Sequence, residues 1–237
     1  MDFRFNFIKG IVMKKALSVF AVAAVLLPTL AMAEAGDIVV RVRAAYVNPD
    51  ESSKLGSQSA ASGLGAAIGA GSKLSVDGNT IPEIDFSYYI TKNIAAELIL
   101  ATGTRHDVSI KGNTGTLGNQ PLGSVNLLPP TLTVQWHFLP DQTVDPYLGA
   151  GVNYTRALDR NLATTGGLPI HIDRNSLGLA FQAGVDVNLK DGWMVNADIK
   201  KAFINTDVKV NAGAGFVKID NLDIDPWIIG FGVGKRF

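Results

Sequence analysis

The stretch LGLAFQAGVDVNL, at residues 177–189, alternates along its whole length between two kinds of residue. Its odd-numbered positions are all apolar, and the even-numbered positions between them are glycine, alanine or polar residues. A period of two places successive side chains on opposite faces of a β-strand, whereas a helix would scatter the apolar residues around its circumference. The pattern therefore predicts a strand with one apolar face and one face of small or polar side chains.

Seven other segments of the chain show the same alternation, which gives eight predicted strands in all. These segments lie at residues 38–46, 83–90, 96–101, 131–138, 148–154, 193–200 and 227–234. Eight aromatic residues fall near the predicted strand ends on the apolar faces: Tyr46, Trp136, Phe138, Tyr154, Trp193, Phe203, Trp227 and Phe237. Membrane-spanning barrels carry such aromatic residues in girdles at both interfaces, so the set favours a barrel in a membrane.

The connections between the predicted strands are alternately short and long. Short connections lie at 91–93, 140–145 and 190–192, and long polar, glycine-rich ones at about 48–74, 105–124, 156–174 and 205–221. Outer-membrane barrels have this order, with short periplasmic turns and long extracellular loops. A soluble β-sandwich also uses alternating strands, but it does not predict a regular asymmetry of loop length. We therefore predict an all-β fold, an eight-stranded antiparallel up-and-down transmembrane β-barrel.

The N-terminal segment has the three regions of a secretory signal peptide. Lys14 and Lys15 precede an apolar run at 19–27, and Ala31-Met32-Ala33 forms a small-residue cleavage pattern. The apolar run is shorter than the roughly 20 residues that a spanning helix needs. We expect translation to start at Met13 and residues 1–33 to be removed after Ala33, which leaves residues 34–237 as the barrel.

Composition and residue spacing exclude several classes of function. The 21 basic residues equal the 21 acidic ones, which argues against nucleic acid as a partner. The chain has no cysteine, so disulfides and thiolate metal sites are excluded. The histidines His106, His137 and His171 lie on different segments without i, i+4 spacing, so we expect no metal site and no cofactor. Neither His106 beside Asp107 nor His171 beside Asp173 has a nucleophile in place, so we predict no catalytic residues and no enzyme.

The predicted inward faces of the strands carry both signs of charge. The interior of an eight-stranded barrel is only wide enough to be filled by side chains, and buried charges must be paired. We therefore expect an ion-pair network that plugs the lumen, with a selective polar pore as the alternative. The residues of this predicted plug are Arg41, Arg43, Glu83, Asp85, Glu97, Asp186, Asp198, Lys200 and Arg236.

Several motifs resemble those of a known family. They are KNI at 92–94, EL at 97–98, LPPTL at 128–132 followed by QW at 135–136, PYLGAGVNYT at 146–155, DPW at 225–227 and the closing GKRF at 234–237. In this combination they resemble the OmpW/AlkL family of outer-membrane proteins, over essentially all of residues 34–237. The family usually has an aromatic residue two positions before its terminal Phe. This chain keeps the terminal Phe237 but has Lys235 at the aromatic position.

The resemblance implies an eight-stranded barrel in the bacterial outer membrane that takes up small hydrophobic molecules passively. Its partners would then be the lipid bilayer, lipopolysaccharide, a small hydrophobic ligand, and the barrel-assembly machinery that reads Phe237. Apolar residues within the long loops would form an outer pocket for the ligand: Leu55, Leu64, Leu162 and Leu168. The same residues could equally pack against one another. The alternative function is a structural or interaction barrel whose loops bind external partners without transport.

A plugged lumen requires another exit for an apolar solute. Pro129 and Pro130 lie at the start of the fourth predicted strand, and proline has no N–H to donate to a strand ladder. From the residues alone, the pair either ends the strand or opens the wall locally. The resemblance favours the second interpretation, because it implies lateral release of ligand into the lipid through such a gap.

Overall fold

The structure is a computed structural model that describes residues 33–101, 104–211, 213 and 215–237. The predicted signal peptide, apart from Ala33, lies outside the described residues, so its removal remains a prediction. No helix in the described ranges is long and apolar enough to span a membrane. The elements, in chain order, are β1 (Ile38–Asn48), α1 (Leu55–Ala61), β2 (Lys73–Val76), β3 (Asn79–Tyr89), β4 (Ile94–Ala101), β5 (Thr104–Lys111), β6 (Gln120–Leu128), β7 (Thr131–His137), β8 (Val144–Asp159), β9 (Leu162–Ala163), β10 (Pro169–Ile172), β11 (Asn175–Asn188), a 3₁₀ turn (Lys190–Gly192), β12 (Trp193–Ala202), β13 (Asn205–Asn211), β14 (Phe216–Asp223) and β15 (Trp227–Arg236).

Eight of these strands form a closed antiparallel barrel. Their order around the barrel is β1, β3, β4, β7, β8, β11, β12 and β15, and β15 pairs back with β1, where Val42 lies opposite Val233. The eight strands correspond to the eight alternating segments, so the predicted fold class is confirmed. β8 extends furthest beyond its predicted bounds, at both ends.

The barrel wall is apolar outside and polar inside, which is the arrangement of a membrane barrel. On β1, Val42 is 55% exposed on the outer face, whereas its neighbour Arg41 is completely buried in the lumen. The aromatic residues near the strand ends are all exposed on the outer face and fall into two bands. Tyr46, Tyr154, Phe203 and Trp227 form the band at the end with the long connections, and Trp136, Phe138, Trp193 and Phe237 form the band beside the short turns.

The long connections are more ordered than the sequence predicted. The structure contains three hairpins in them, β5–β6, β9–β10 and β13–β14, together with α1 and β2, and we call these elements the outer extension. Two of the strands that the sequence analysis missed, β6 and β14, each carry a bulge that breaks their alternation, opposite Val108–Ser109 and opposite Val208–Lys209. A bulge inserts one extra residue and reverses the faces of all later positions. β9 and β10 have only two and four residues, which is too short for a clear pattern.

The outer extension has an apolar core of its own, which we call the outer cluster. It contains fourteen buried residues: Leu55, Ile68, Leu74, Val76, Val108, Ile110, Leu122, Val125, Leu162, Ile170, Val208, Val210, Ile219 and Leu222. They come from all four long connections, so the outer cluster joins the hairpins into one layer above the barrel.

Candidate functional site

Arg41 is the centre of the lower layer of charges in the lumen. Its Nη1 lies 3.2 Å from Glu97 Oε1 and donates to Ser87 Oγ at 2.7 Å. Its Nε and Nη2 reach the two carboxylate oxygens of Asp186 at 3.2 and 2.6 Å. Every side chain in this group is buried. Arg41 therefore joins three strands, β3, β4 and β11, to its own strand β1.

Arg43 organises a second layer two residues nearer the outside. Its Nε lies 2.8 Å from Glu83 Oε1 and 2.7 Å from Asp85 Oδ2, and its Nη1 lies 2.6 Å from Asp198 Oδ2. Lys200 Nζ closes this layer, at 2.8 Å from Glu83 Oε1 and 3.0 Å from Asp198 Oδ2. The two layers fill the lumen with paired charges.

Three amide side chains take part in this network, and the sequence analysis did not single them out. Gln182 Nε2 donates to Glu97 Oε2 at 3.1 Å and to Asp198 Oδ2 at 2.8 Å, which links the lower layer to the upper one. Gln135 Nε2 donates to Glu97 Oε2 at 2.7 Å, and Asn196 Nδ2 to Asp186 Oδ1 at 2.8 Å. All three amides occupy inward-facing positions of their strands. The same alternation that placed the charged residues in the lumen could therefore have placed these amides there too.

Glycine makes room for this network at two close approaches. A Cβ on Gly184 would lie 2.4 Å from the ring of Tyr147, and a Cβ on Gly230 would lie 2.5 Å from Asp198 Oδ1. A side chain at either position would therefore displace a member of the network.

The ninth predicted plug residue, Arg236, lies apart from the other eight. Its Nε is 3.8 Å from Asp37 Oδ2, and its guanidinium lies 5.2 Å from the centre of the Tyr89 ring, at the end of the barrel beside the short turns. The structure therefore brings eight of the nine predicted residues together, and places Arg236 below them.

A histidine and two carboxylates meet near that end of the lumen. His137 Nδ1 lies 2.7 Å from Asp145 Oδ2, and one ligand atom from each of His137, Asp145 and Asp186 lies within 4.8 Å of the others. Asp186 already accepts bonds from Arg41 and Asn196, so the cluster is satisfied by hydrogen bonds among these residues. The search for paired histidines missed it because its members lie on β7, β8 and β11.

Above the charges lies a series of three apolar cavities. The inner cavity, of about 60 Å³, has Glu83 and Lys200 as its floor and Ile99, Leu127 and Pro129 among its walls. It shares Val76, Leu127, Ile204 and Ile224 with a middle cavity of about 50 Å³. The middle cavity shares Leu74, Leu122, Ile170 and Val208 with an outer cavity of about 80 Å³. The cavities are therefore contiguous from the tips of the outer extension to the ion pairs.

The four predicted pocket residues all lie in the outer extension. Leu64 and Leu168 line the outer cavity, and Leu162 lines the middle cavity. Leu55 is fully buried in the outer cluster at the start of α1 and lines none of these three cavities. The group therefore fits both expectations: Leu55 packs in the outer cluster, and the other three residues line cavities.

A family model now relates this geometry to known proteins. The model of the OmpW family matches residues 34–237. The chain belongs to the OmpW family. Outer membrane protein W of Escherichia coli K12 is 34% identical over 228 residues, which cover 94% of this chain and 99% of the relative. The dibenzothiophene metabolism operon protein PahQ of Pseudomonas aeruginosa is 28% identical over 173 residues, 73% of this chain and 78% of PahQ.

A solved structure extends the likeness to the fold. The crystal structure of the outer membrane protein OprG from Pseudomonas aeruginosa has a TM-score of 0.72 at 30% identity, and covers 86% of this chain and 97% of OprG. The protein is therefore an OmpW-family β-barrel of the outer membrane, as the sequence motifs implied.

In this OmpW-family barrel, Pro129 and Pro130 lie between β6 and β7. The β4–β7 ladder ends at the pair Ile99 and Thr131, and the β5–β6 ladder begins at Thr104 and Leu127. The prolines lie in the interval between these ladders, where the described residues form no strand pairs across the wall. On the other side, Pro130 O accepts the N–H of Tyr154 at 3.0 Å, so the segment stays attached to β8.

The two remaining histidines take no part in the charged layers. His106 Nδ1 lies 2.9 Å from Asp77 O at the top of the barrel. His171 stacks on Phe216 in the outer extension, with 4.0 Å between the ring centres. Their neighbours Asp107 and Asp173 form ion pairs with Arg105 and Lys209 instead.

Proposed function

We propose that this protein is a passive outer-membrane channel for small hydrophobic molecules, which it releases sideways into the lipid through the break at Pro129 and Pro130. The observation that carries the proposal is the contiguous series of three apolar cavities between the outer extension and the barrel. The name of the relative PahQ, which refers to the metabolism of the apolar aromatic compound dibenzothiophene, supports this class of ligand.

The charged layers below the inner cavity make straight passage unfavourable. A solute that moved down the lumen would have to separate the pairs that Arg43 and Lys200 make with Glu83 and Asp198. Removing one partner of a buried pair costs several kcal/mol, about 3–5 by experience with other proteins. Lipid, in contrast, is the favoured destination of an apolar solute, at about 25 cal/mol per Å² removed from water.

Passage requires the outer extension to widen. Each cavity holds between about 50 and 80 Å³, whereas a cavity of about 150 Å³ is known to admit benzene. The outer cavity and most of the middle one are lined by side chains of the outer extension, whereas barrel strands line most of the inner cavity. Hairpins open more readily than a closed barrel. The structure therefore represents the closed state of the proposed route.

The test is uptake of the apolar dye N-phenylnaphthylamine by cells that carry the protein at equal surface levels. Ala157 lines the middle cavity, and its neighbour Leu158 points outward with 60% exposure. We expect Ala157→Phe to slow dye uptake towards the rate without protein, and the matched control Leu158→Phe to keep the wild-type rate. Equal uptake with and without wild-type protein would overturn the proposal and favour the structural or interaction barrel.

A further inference from the structure

The middle cavity differs from the outer one in having a polar rim. The rim contains six residues at the start of β11 and β13: Asp173, Arg174, Asn175, Ser176, Asn205 and Thr206. Four of them, Asp173, Arg174, Asn175 and Asn205, are exposed, whereas the rest of the lining is mostly buried aliphatic side chains of the outer cluster. The cavity therefore has an apolar interior and a polar mouth.

The rim lies where the barrel wall loosens a second time. The β11–β12 ladder ends at the pair Ala180 and Ala202. Above it, the two chains are held partly by side chains, since Ser176 Oγ accepts the N–H of Asn205 and Thr206 Oγ1 accepts the N–H of Asp173, both at 3.1 Å. Side-chain bonds of this kind are easier to open than a continuous strand ladder.

The rim is at the height of the membrane interface. Tyr154, a member of the outer aromatic band, donates its hydroxyl to Asn175 Oδ1 at 2.9 Å. Phe203, another member of that band, lies two residues before Asn205 on the β13 side of the rim. Aromatic bands mark the boundary between the hydrocarbon and the headgroups. A molecule at this rim would therefore place its polar end among headgroups and its apolar part inside the protein.

The rim contains one anion, Asp173, and one cation, Arg174. Asp173 is paired with Lys209 at 3.4 Å, whereas Arg174 makes no ion pair with any carboxylate in the described part of the chain. A second guanidinium, that of Arg160, donates to Ile172 O at 2.6 Å, beside the cavity wall. Arginine is the residue best suited to binding a carboxylate, because its planar donors match the two oxygens.

We infer that this rim recognises single-chain amphipathic carboxylates, with the apolar chain in the middle cavity and the carboxylate at Arg174. The inference rests on the proposed function and narrows its ligand class. A pure hydrocarbon would have no use for the guanidinium of Arg174, whereas a fatty-acid-like anion uses both that guanidinium and the apolar interior.

The test is a fluorescence titration of the full-length protein in phosphatidylcholine nanodiscs, with empty nanodiscs as the blank. The probes are 11-(dansylamino)undecanoic acid and its methyl ester. We expect Arg174→Gln to weaken binding of the acid about tenfold, the loss expected for one charge-assisted hydrogen bond, and to leave the ester unchanged. The matched control is Arg156→Gln, because Arg156 is exposed directly opposite Asn175 in the β8–β11 ladder and is absent from the rim.

The outcomes separate this inference from the proposed function. Loss of the acid alone in Arg174→Gln, with wild-type binding in Arg156→Gln, supports the inference. Equal losses of acid and ester in Arg174→Gln would show a structural role, and equal effects of the two variants would show general surface charge; either result overturns it. If the ester binds saturably without any preference for the acid, the inference fails and the proposed function stands. If neither probe binds above the blank, both fail.

Discussion

Arg41 and Asp186 form a two-point ion pair across the lumen, although 145 positions separate them in the chain. Both side chains are completely buried, and the paired atoms lie 3.2 and 2.6 Å apart. Burying a charge is costly unless its partner and its remaining hydrogen-bonding groups are satisfied. Here Ser87, Glu97 and Asn196 complete the set, so the pair depends on five strands meeting in one register.

The first prediction concerns the stability of this network. Arg41→Gln removes the cation and leaves the carboxylates of Asp186 and Glu97 buried without it, so the free energy of unfolding should fall by about 3–5 kcal/mol. Urea unfolding in lipid vesicles, followed by tryptophan fluorescence, measures the change. The control is Arg105→Gln, because the pair of Arg105 with Asp107 is exposed and 4.0 Å long, and we expect a change within about 0.5 kcal/mol. Equal losses in the two variants would contradict the network.

The second prediction concerns ion flow. Because two layers of paired side chains fill the lumen, wild-type protein should give no large steady conductance in planar bilayers. Replacing the cation and both of its anionic partners together, as Arg41→Ala with Glu97→Ala and Asp186→Ala, removes side-chain volume without leaving a carboxylate of Arg41 buried alone. We expect this triple variant to conduct measurably more than wild type. A large steady conductance of the wild-type barrel would favour the selective polar pore instead.

The third prediction concerns the break in the wall. Pro129→Ala with Pro130→Val restores two N–H groups beyond the last β4–β7 pair, Ile99 with Thr131, and should let the ladder continue. Uptake of N-phenylnaphthylamine should then slow, while the barrel keeps the gel mobility of the folded state. Pro140→Ala, in the short turn at the opposite end, serves as the control. Unchanged uptake in the double variant would show that ligand leaves elsewhere.

The fourth prediction concerns a carboxyl group in the outer extension. The hydrogen bond from Lys218, whose Nζ lies 2.6 Å from Asp207 Oδ1, lowers the pKa of Asp207 below its ordinary value. The ionised form is therefore favoured in the folded protein. Its stabilising contribution is complete above about pH 4, the ordinary range of aspartate, and is lost as the pH falls through the lowered pKa.

A carboxyl-carbon NMR titration of Asp207 checks this prediction. The midpoint should lie below the ordinary aspartate value in wild type and should rise towards it in Lys218→Met. Lys111→Met, which removes a lysine paired with Asp77 instead, should leave the midpoint of Asp207 in place. An unchanged midpoint in Lys218→Met would show that Lys218 is not the cause of the lowered pKa of Asp207.

The barrel wall was predictable from sequence because each of its strands separates two uniform environments. On β11, for example, Phe181 is half exposed on the outer face while Gln182 is buried in the lumen, and the alternation is uninterrupted. The strands of the outer extension do not separate two uniform environments in this way. Its strands are short, contain bulges and pack against one another in water, so Leu162 and Ile170 are buried there without a strict period.

The charged residues of the lumen were predictable, but their pairing was not. Parity alone places Arg41 and Asp186 inside the barrel. Which cation meets which anion depends on the register of all eight strands, and that register is fixed by the packing of the whole wall. Arg236 is an example. Like the other eight residues it occupies an inward-facing position of its strand, but it lies at a different height in the barrel and pairs with Asp37 instead.

The outer cluster also makes insertion into the membrane hard to reverse. Its members come from four separate connections, so they can meet only after all four have crossed the bilayer. Withdrawing a single hairpin would expose aliphatic side chains to water, at about 25 cal/mol per Å², and would drag its polar tip through hydrocarbon. The assembled layer of hairpins thus holds the inserted barrel in place against withdrawal towards the periplasm.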